Sequence, residues 1–134
     1  GERDLGVRHR ALPAPLWATV AVIDSKRLAE AFAFALRIHG EQKRKGTEIP
    51  YIAHVMAVAS LVIENGGNGD QAVAALLHDA VEDQGGAAVL QRINELFGDN
   101  VARIVSGCSD TDQLPKPPWR ERPRRSGWAR WVCR

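Results

Sequence analysis

The sequence has 134 residues and a net charge of +2, with 45% hydrophobic and 25% charged residues. This length suits one domain with a single core, and the composition is ordinary for a soluble globular protein. Two cysteines without metal-type spacing argue against a disulfide framework and favour a reducing compartment, the cytoplasm. The longest apolar run, residues 16–23, is too short to cross a bilayer, so no membrane segment is predicted.

The first predicted elements are an irregular arm over residues 1–24 and a helix that begins after it. Arginines ahead of the apolar run resemble the start of a signal peptide, but Pro13 and Pro15 interrupt it and no clean cleavage site follows. Asp24 or Ser25 can cap a helix, because a short side-chain oxygen accepts a free N–H of the first turn. Apolar residues at helical spacing then continue to a glycine, Gly40.

The middle of the chain predicts a small all-α bundle of about five helices with short loops and no convincing strand pair. A polar loop with Gly46 and Pro50 follows the first helix, and the second helix is mostly apolar and therefore expected to be buried. We expect Asp70 to cap a third helix that runs without interruption to Asp83. The helices are expected at residues 25–39, 51–65, 70–83, 87–97 and from 99 or 100 to 108.

The character of the sequence changes at residue 110. Residues 115–134 carry seven basic residues against one acidic residue, together with four prolines and three tryptophans, whereas the rest of the chain is net negative. Prolines at 115, 117 and 118 oppose a helix. The predicted organisation is an arm at 1–24, a helical core at 25–114 and a basic tail at 115–134.

Four groups able to bind a metal or move protons occur within LLHDAVED, residues 76–83: His78, Asp79, Glu82 and Asp83. On a regular helix each residue four positions on lies on the same face, and neighbouring residues project about 100° apart. Imidazole and carboxylate together suit a divalent transition metal such as Mn or Fe. The alternative is a solvated acidic helix end, and two residues alone do not make a metal site.

His54 is the candidate third ligand, although it lies in an apolar helix. A histidine in such a stripe is more often a core residue with a satisfied hydrogen bond. Its spacing from LLHDAVED by itself leaves both interpretations open.

Three ordered motifs together resemble the HD superfamily, and within it the alarmone hydrolases of the RelA/SpoT type and the small single-domain alarmone hydrolases. They are HGEQKRK at 39–45, PYIAH at 50–54 and ALLHDAVED at 75–83. The segment FGDNVARIVSGCSD that follows is also similar. The resemblance covers roughly residues 26–122 and implies an HD-domain helical bundle.

The resemblance implies a role for each matching position. His54, His78 and Asp79 match metal ligands, and the acidic pair Glu82 and Asp83 matches residues that orient or deprotonate the attacking water. The basic pair Arg44 and Lys45 matches residues that contact a nucleotide. Manganese is the implied ion, with Fe, Zn or Ni as alternatives. His39 is expected to be a structural partner beside the site rather than a ligand.

The chain departs from the family pattern after about residue 114. The family supplies a fourth metal ligand from an aspartate in a later segment similar to ADKLHN, and no such segment is present. The abrupt change in composition leads us to expect a truncation or a shifted reading frame. The rival interpretation is a native basic tail that binds RNA or another acidic partner, because arginines bind phosphates and tryptophans stack on bases.

The first functional hypothesis is a metal-dependent phosphohydrolase resembling guanosine 3′,5′-bis(diphosphate) (ppGpp) 3′-pyrophosphohydrolase. A second keeps the chemistry but changes the substrate to another nucleotide phosphate. A third, from a different class, is an inactive HD fragment that acts as a binding module. Missing helices would leave apolar faces uncovered, so we expect a homo-oligomer and no membrane partner.

Overall fold

The computed structural model of the protein describes residues 23–109, which fold into helices, so the predicted all-α class is confirmed. The helices are α1 (Ser25–His39), α2 (Ile52–Glu64), α3 (Gly69–Leu77), α4 (Ala80–Gln84), α5 (Gly86–Phe97) and α6 (Asp99–Cys108). Within this range the only β-type pairing is an isolated bridge between Lys43 and Pro50. The predicted basic tail, and the predicted arm apart from residues 23 and 24, lie outside the described residues.

The expectation of one uninterrupted third helix is wrong, because the chain turns at His78 and Asp79 and forms α3 and α4 instead. Asp79 has φ −96° and ψ −6°, which departs from regular helical geometry and ends the α3 ladder. A hydrogen bond from Asp83 N to Asp79 O, at 2.9 Å, starts the next turn. Adjacent side chains therefore need not keep the separation of about 100° that a regular helix imposes.

The helix caps agree with the sequence at α1 and differ at α3. The Asp24 side chain accepts hydrogen bonds from the backbone N–H groups of Lys26 and Arg27, at 3.0 and 3.3 Å, as expected. The α3 cap is Asn68 rather than Asp70. Asn68 and Gln71 form a reciprocal capping box, in which each side chain bonds the other's backbone at 2.9 Å.

Asp70 is instead part of a polar cluster that joins four helices. Arg27 of α1 pairs with Asp70 and also donates to the carbonyl oxygen of Phe97, at 2.6 Å. Asn100 of α6 donates to the other Asp70 oxygen, at 2.6 Å. The beginnings of α1, α3 and α6 and the end of α5 are thereby fixed together on one side of the bundle.

Helix α3 lies at the centre of the bundle and carries the site at its end. Every residue from Ala72 to Leu77 is buried, and α3 packs against α1, α2 and α6. Its several alanine side chains are small, and small side chains at a contact allow helix axes to lie closer together. The turn after Leu77 is consequently held on several sides by the core. Among the described helices none has the length and hydropathy needed to cross a membrane.

Candidate metal centre

Three of the predicted site residues converge at the turn between α3 and α4. One ligand atom from each of His54, His78 and Asp79 lies within 4.8 Å of the other two. The Asp79 Oδ2 atom is 2.8 Å from Nε2 of His78 and 3.2 Å from Nε2 of His54. The departure from helical geometry at Asp79 brings its carboxylate to the neighbouring imidazole, so the two residues, which the sequence suggested as adjacent nitrogen and oxygen donors, face each other in one donor set.

The hydrogen bond at the far side of the His78 ring determines which nitrogen faces the site. The His78 Nδ1 atom is 2.7 Å from the carbonyl oxygen of Ala75, and a carbonyl can only accept. Nδ1 therefore carries the proton, and in the neutral ring Nε2 has the lone pair. A backbone carbonyl that orients a histidine in this way is the usual partner of a metal-binding imidazole.

The donor set fits a divalent cation on its own chemistry. A neutral His78 presents a lone pair to Asp79 Oδ2, which also has only lone pairs, so a contact of 2.8 Å requires a proton or a cation between them. Two imidazole nitrogens and one carboxylate are the ligand types that Mn, Fe, Zn and related ions accept. The His78 side chain is only 1% exposed and that of Asp79 is 12% exposed, so the position is shielded from bulk water.

The Asp79 carboxyl is held in its charged form. Without the cation, a proton occupies the His78 contact. Burial opposes ionisation of Asp79, but hydrogen bonds from His54 and the protonated His78, the charge of that His78 and a hydrogen bond from Tyr51 outweigh it and hold the pKa of Asp79 well below its usual range. A carboxylate that stays ionised at neutral pH is ready to bind a cation without first losing a proton.

Tyr51 is a residue of the site that sequence reasoning did not single out. Its hydroxyl donates to Asp79 Oδ2 at 2.5 Å, and its ring lies between those of His39 and His54, at centroid distances of 4.9 and 5.5 Å. Burial first, and then the negative charges of Asp79 and Asp83, raise the pKa of the Tyr51 hydroxyl far above its usual range. The phenol therefore remains a hydrogen-bond donor, and it lies close enough to Asp79 and Asp83 for both carboxylates to affect its pKa. The signal was present in the motif PYIAH, which contains the chain's single tyrosine.

The predicted acidic pair lies on α4, directly after the turn. Glu82 is buried, with 6% of its surface exposed. Asp83 is half-buried and accepts a hydrogen bond from Nε2 of Gln42, at 3.3 Å. Both acids thus lie on a five-residue helix that directly follows the turn with His78 and Asp79.

The predicted basic pair occupies a compact loop between α1 and α2. Arg44 and Lys45 are exposed, and neither has an ion-pair partner within residues 23–109. The loop is closed by a hydrogen bond from Arg44 N to Ile49 O, at 2.9 Å, and by an ion pair between Lys43 and Glu48. Gly46, at φ +76°, makes the turn that this closure needs. Two cationic side chains are therefore presented by an ordered backbone.

His39 lies beside the centre and is not one of the three clustered residues. Its ring is 4% exposed, and its Nδ1 is 2.8 Å from Oε1 of Gln42. The described residues that could hold a metal are His54, His78 and Asp79 alone. The candidate substitutes for a fourth ligand, Asp110 and Asp112, lie outside the described range.

The comparisons with known proteins agree with this geometry. The model of the HD domain family matches residues 31–128. The chain is 42% identical over 90 residues to guanosine-3′,5′-bis(diphosphate) 3′-pyrophosphohydrolase of Aquifex aeolicus, which covers 67% of this chain and 12% of that protein. It is 41% identical over 96 residues to guanosine-3′,5′-bis(diphosphate) 3′-pyrophosphohydrolase MESH1 of Homo sapiens, which covers 69% of this chain and 52% of MESH1.

A solved structure gives the same result for the fold. It is described as a metazoan ortholog of SpoT that hydrolyzes ppGpp, and it matches with a TM-score of 0.62 and 31% identity over 72% of this chain and 55% of the other. The all-α bundle and the cluster of two histidines and an aspartate at one turn are consistent with this match. The chain belongs to the HD domain family. It spans about half of MESH1 and a much smaller share of the Aquifex relative.

Proposed function

We propose that the protein is a metal-dependent phosphohydrolase that releases pyrophosphate from the 3′ position of ppGpp or a closely similar nucleotide. The observation that carries this proposal is the convergence of His54 and His78 on one oxygen of Asp79, immediately ahead of two further acids on α4. The names of the relatives support the substrate, because both the Aquifex protein and MESH1 are called ppGpp 3′-pyrophosphohydrolases.

We assign different roles to the residues at the turn and to those on α4. His54, His78 and Asp79 hold the ion, which when bound would lower the pKa of a water and neutralise phosphate charge. Glu82 and Asp83 orient the attacking water and accept its proton, which a carboxylate does when it lies within hydrogen-bonding reach.

The basic loop is the proposed nucleotide contact. Arg44 offers a planar fork that pairs with phosphate oxygens and a face that stacks on a base, and Lys45 adds a second positive charge. Because the loop backbone is closed by its own hydrogen bonds, little ordering is needed when the nucleotide binds.

We further propose Mn²⁺ as the ion, since an imidazole and carboxylate donor set without thiolate suits it. A reducing cytosol is the proposed compartment, which is supported by a sequence with only two cysteines and no metal-type spacing between them. Self-association is the proposed oligomeric behaviour. It is supported by large apolar side chains that are about half exposed, including Met56 and Leu61.

The test is release of pyrophosphate from ppGpp by purified protein, with and without added Mn²⁺. We expect release that EDTA abolishes, and no release from Asp79→Ala or from Glu82→Gln. The two variants separate loss of the ion from loss of the acid, because only Asp79→Ala should also lose bound metal. Metal-loaded wild-type protein that leaves ppGpp intact would overturn the proposed substrate, and release of phosphate from other nucleotides would identify its replacement.

A further inference from the structure

We propose that Gln42 is a positioning residue that holds the carboxylate of Asp83 in its working orientation and ties it to the base of the basic loop. This inference rests on the proposed function for its kinetic consequence. Its structural content, a side-chain contact that links the α1–α2 loop to α4, stands on the geometry alone.

Both the nitrogen and the oxygen of the Gln42 side-chain amide form hydrogen-bonding contacts. Its Nε2 donates to Oδ2 of Asp83 at 3.3 Å. Its Oε1 lies 2.8 Å from Nδ1 of His39 and accepts from Nε2 of Gln84. A single half-buried amide thus connects the end of α1 with both of the last two residues of α4.

The Asp83 carboxylate indicates which way the amide points. An ionised carboxylate can only accept, so the end of Gln42 that faces Asp83 is the NH2 group. Oε1 then accepts from the NH2 group of Gln84 and faces Nδ1 of His39, which donates in the tautomer protonated at that nitrogen. The orientation is therefore self-consistent at all three partners.

The backbone of Gln42 is also held in place, by two hydrogen bonds. Its N–H donates to the carbonyl of His39 at 2.8 Å, and its carbonyl accepts from the N–H of Tyr51, also at 2.8 Å. Gln42 consequently lies at the junction where the basic loop begins and closes. The loop cannot shift at this point without moving the group that contacts Asp83.

The Asp83 contact is long for a hydrogen bond, so the proposed effect of Gln42 is on the orientation of the carboxylate. At 3.3 Å it is longer than the usual N–H···O separation of about 2.9–3.0 Å. A carboxylate on a five-residue helix has freedom about its side-chain torsions, and a donor held from outside the helix restricts that freedom. Misplacement of a reacting group by about 1 Å can cost a hundredfold in rate.

The kinetic test is a double-mutant cycle with Gln42→Met and Asp83→Ala in the full chain, using Mn²⁺ and ppGpp. Methionine keeps the length of glutamine and removes its hydrogen bonds. We expect Gln42→Met to lower kcat by about tenfold to a hundredfold while KM and Mn²⁺ affinity stay within about threefold. In the Asp83→Ala background the same change should have no further effect.

A merely structural role makes a different prediction. If Gln42 only supports the fold, Gln42→Met lowers kcat by the same factor with and without Asp83, and this result would overturn the proposal. The matched control is Gln91→Met, which makes the same chemical change at an exposed position on α5 away from the site and should leave kcat unchanged.

A second double-mutant cycle measures the free energy of unfolding by urea in EDTA, so its result does not depend on catalytic activity. We expect the double variant to lose less stability than the sum of the two single variants, because one contact is removed twice. If wild-type protein is inactive but this coupling is present, the proposed function fails and the Gln42–Asp83 link stands. If wild-type protein is active and both cycles are additive, the link fails and the proposed function stands.

Discussion

Changing Tyr51 to phenylalanine should weaken metal binding without disturbing the fold. The change removes one oxygen atom, whose hydrogen bond to Asp79 Oδ2 is 2.5 Å long, and keeps the ring that lies between His39 and His54. The same Asp79 oxygen faces both imidazoles, so its placement decides whether the three ligand atoms meet at one point.

The magnitude follows from the kind of hydrogen bond that is lost. A hydrogen bond to a charged group contributes roughly 1.5–3 kcal/mol, and each 1.4 kcal/mol is a factor of about ten in a binding constant. Loss of a partner that orients a metal ligand typically costs 10–100-fold in affinity, which is the same range. We therefore expect the Mn²⁺ dissociation constant of Tyr51→Phe to rise about tenfold to a hundredfold.

The assay is calorimetric titration of metal-free protein with Mn²⁺ at neutral pH, with circular dichroism to confirm that the helices persist. His54→Ala is the positive reference, because it removes a ligand outright and should abolish tight binding. Gln91→Met, away from the site, is the negative reference. An unchanged dissociation constant in Tyr51→Phe would refute the assignment of the Tyr51 hydroxyl as the group that orients Asp79.

The remaining predictions concern the loop, the polar cluster and the core. Arg44→Ala should raise KM for ppGpp about tenfold or more, since a charge-assisted phosphate contact is lost, while kcat changes little and the exposed control Arg92→Ala changes neither. Hydrogen bonds from Asn100 and Arg27 lower the pKa of Asp70, so its contribution to stability is present above about pH 4 and is lost as the pH falls further. In urea unfolding, the free energy of unfolding of Asp70→Asn should therefore fall less steeply with decreasing pH than that of wild type. An equal dependence on pH in the two proteins would contradict this. Ile93→Ala, at a fully buried position, should cost about 2–5 kcal/mol of unfolding free energy, and a loss below about 1 kcal/mol would mean that α5 is not part of the core.

The helices with strong periodicity could be predicted from the sequence, and their ends were less certain. Asp24 before an apolar stripe and Gly40 after it identified α1, because capping and glycine preferences act locally. The cap of α3 was assigned wrongly because Asn68 and Asp70 are both good caps in isolation. The choice depends on Arg27 and Asn100, which bind Asp70 from distant parts of the chain.

The candidate site was predictable in its residue types and not in its geometry. The motifs containing His54, His78 and Asp79 identified the donor set through resemblance. The break of the helix at Asp79, which lets adjacent residues share one point, carries no periodic signal in LLHDAVED. Tyr51 and Gln42 were missed as participants because their roles depend on tertiary contacts with α4 and the turn before it.

We propose that His54, His78 and Asp79 hold a divalent ion on which hydrolysis depends. The most direct measurement is the metal content of purified protein after dialysis against Mn²⁺, made on wild type and on Asp79→Ala and followed by the ppGpp assay on the same samples. We expect stoichiometric metal and pyrophosphate release in wild type, and neither in Asp79→Ala. Wild-type protein that releases pyrophosphate without metal, or an Asp79→Ala protein that keeps both, would contradict it.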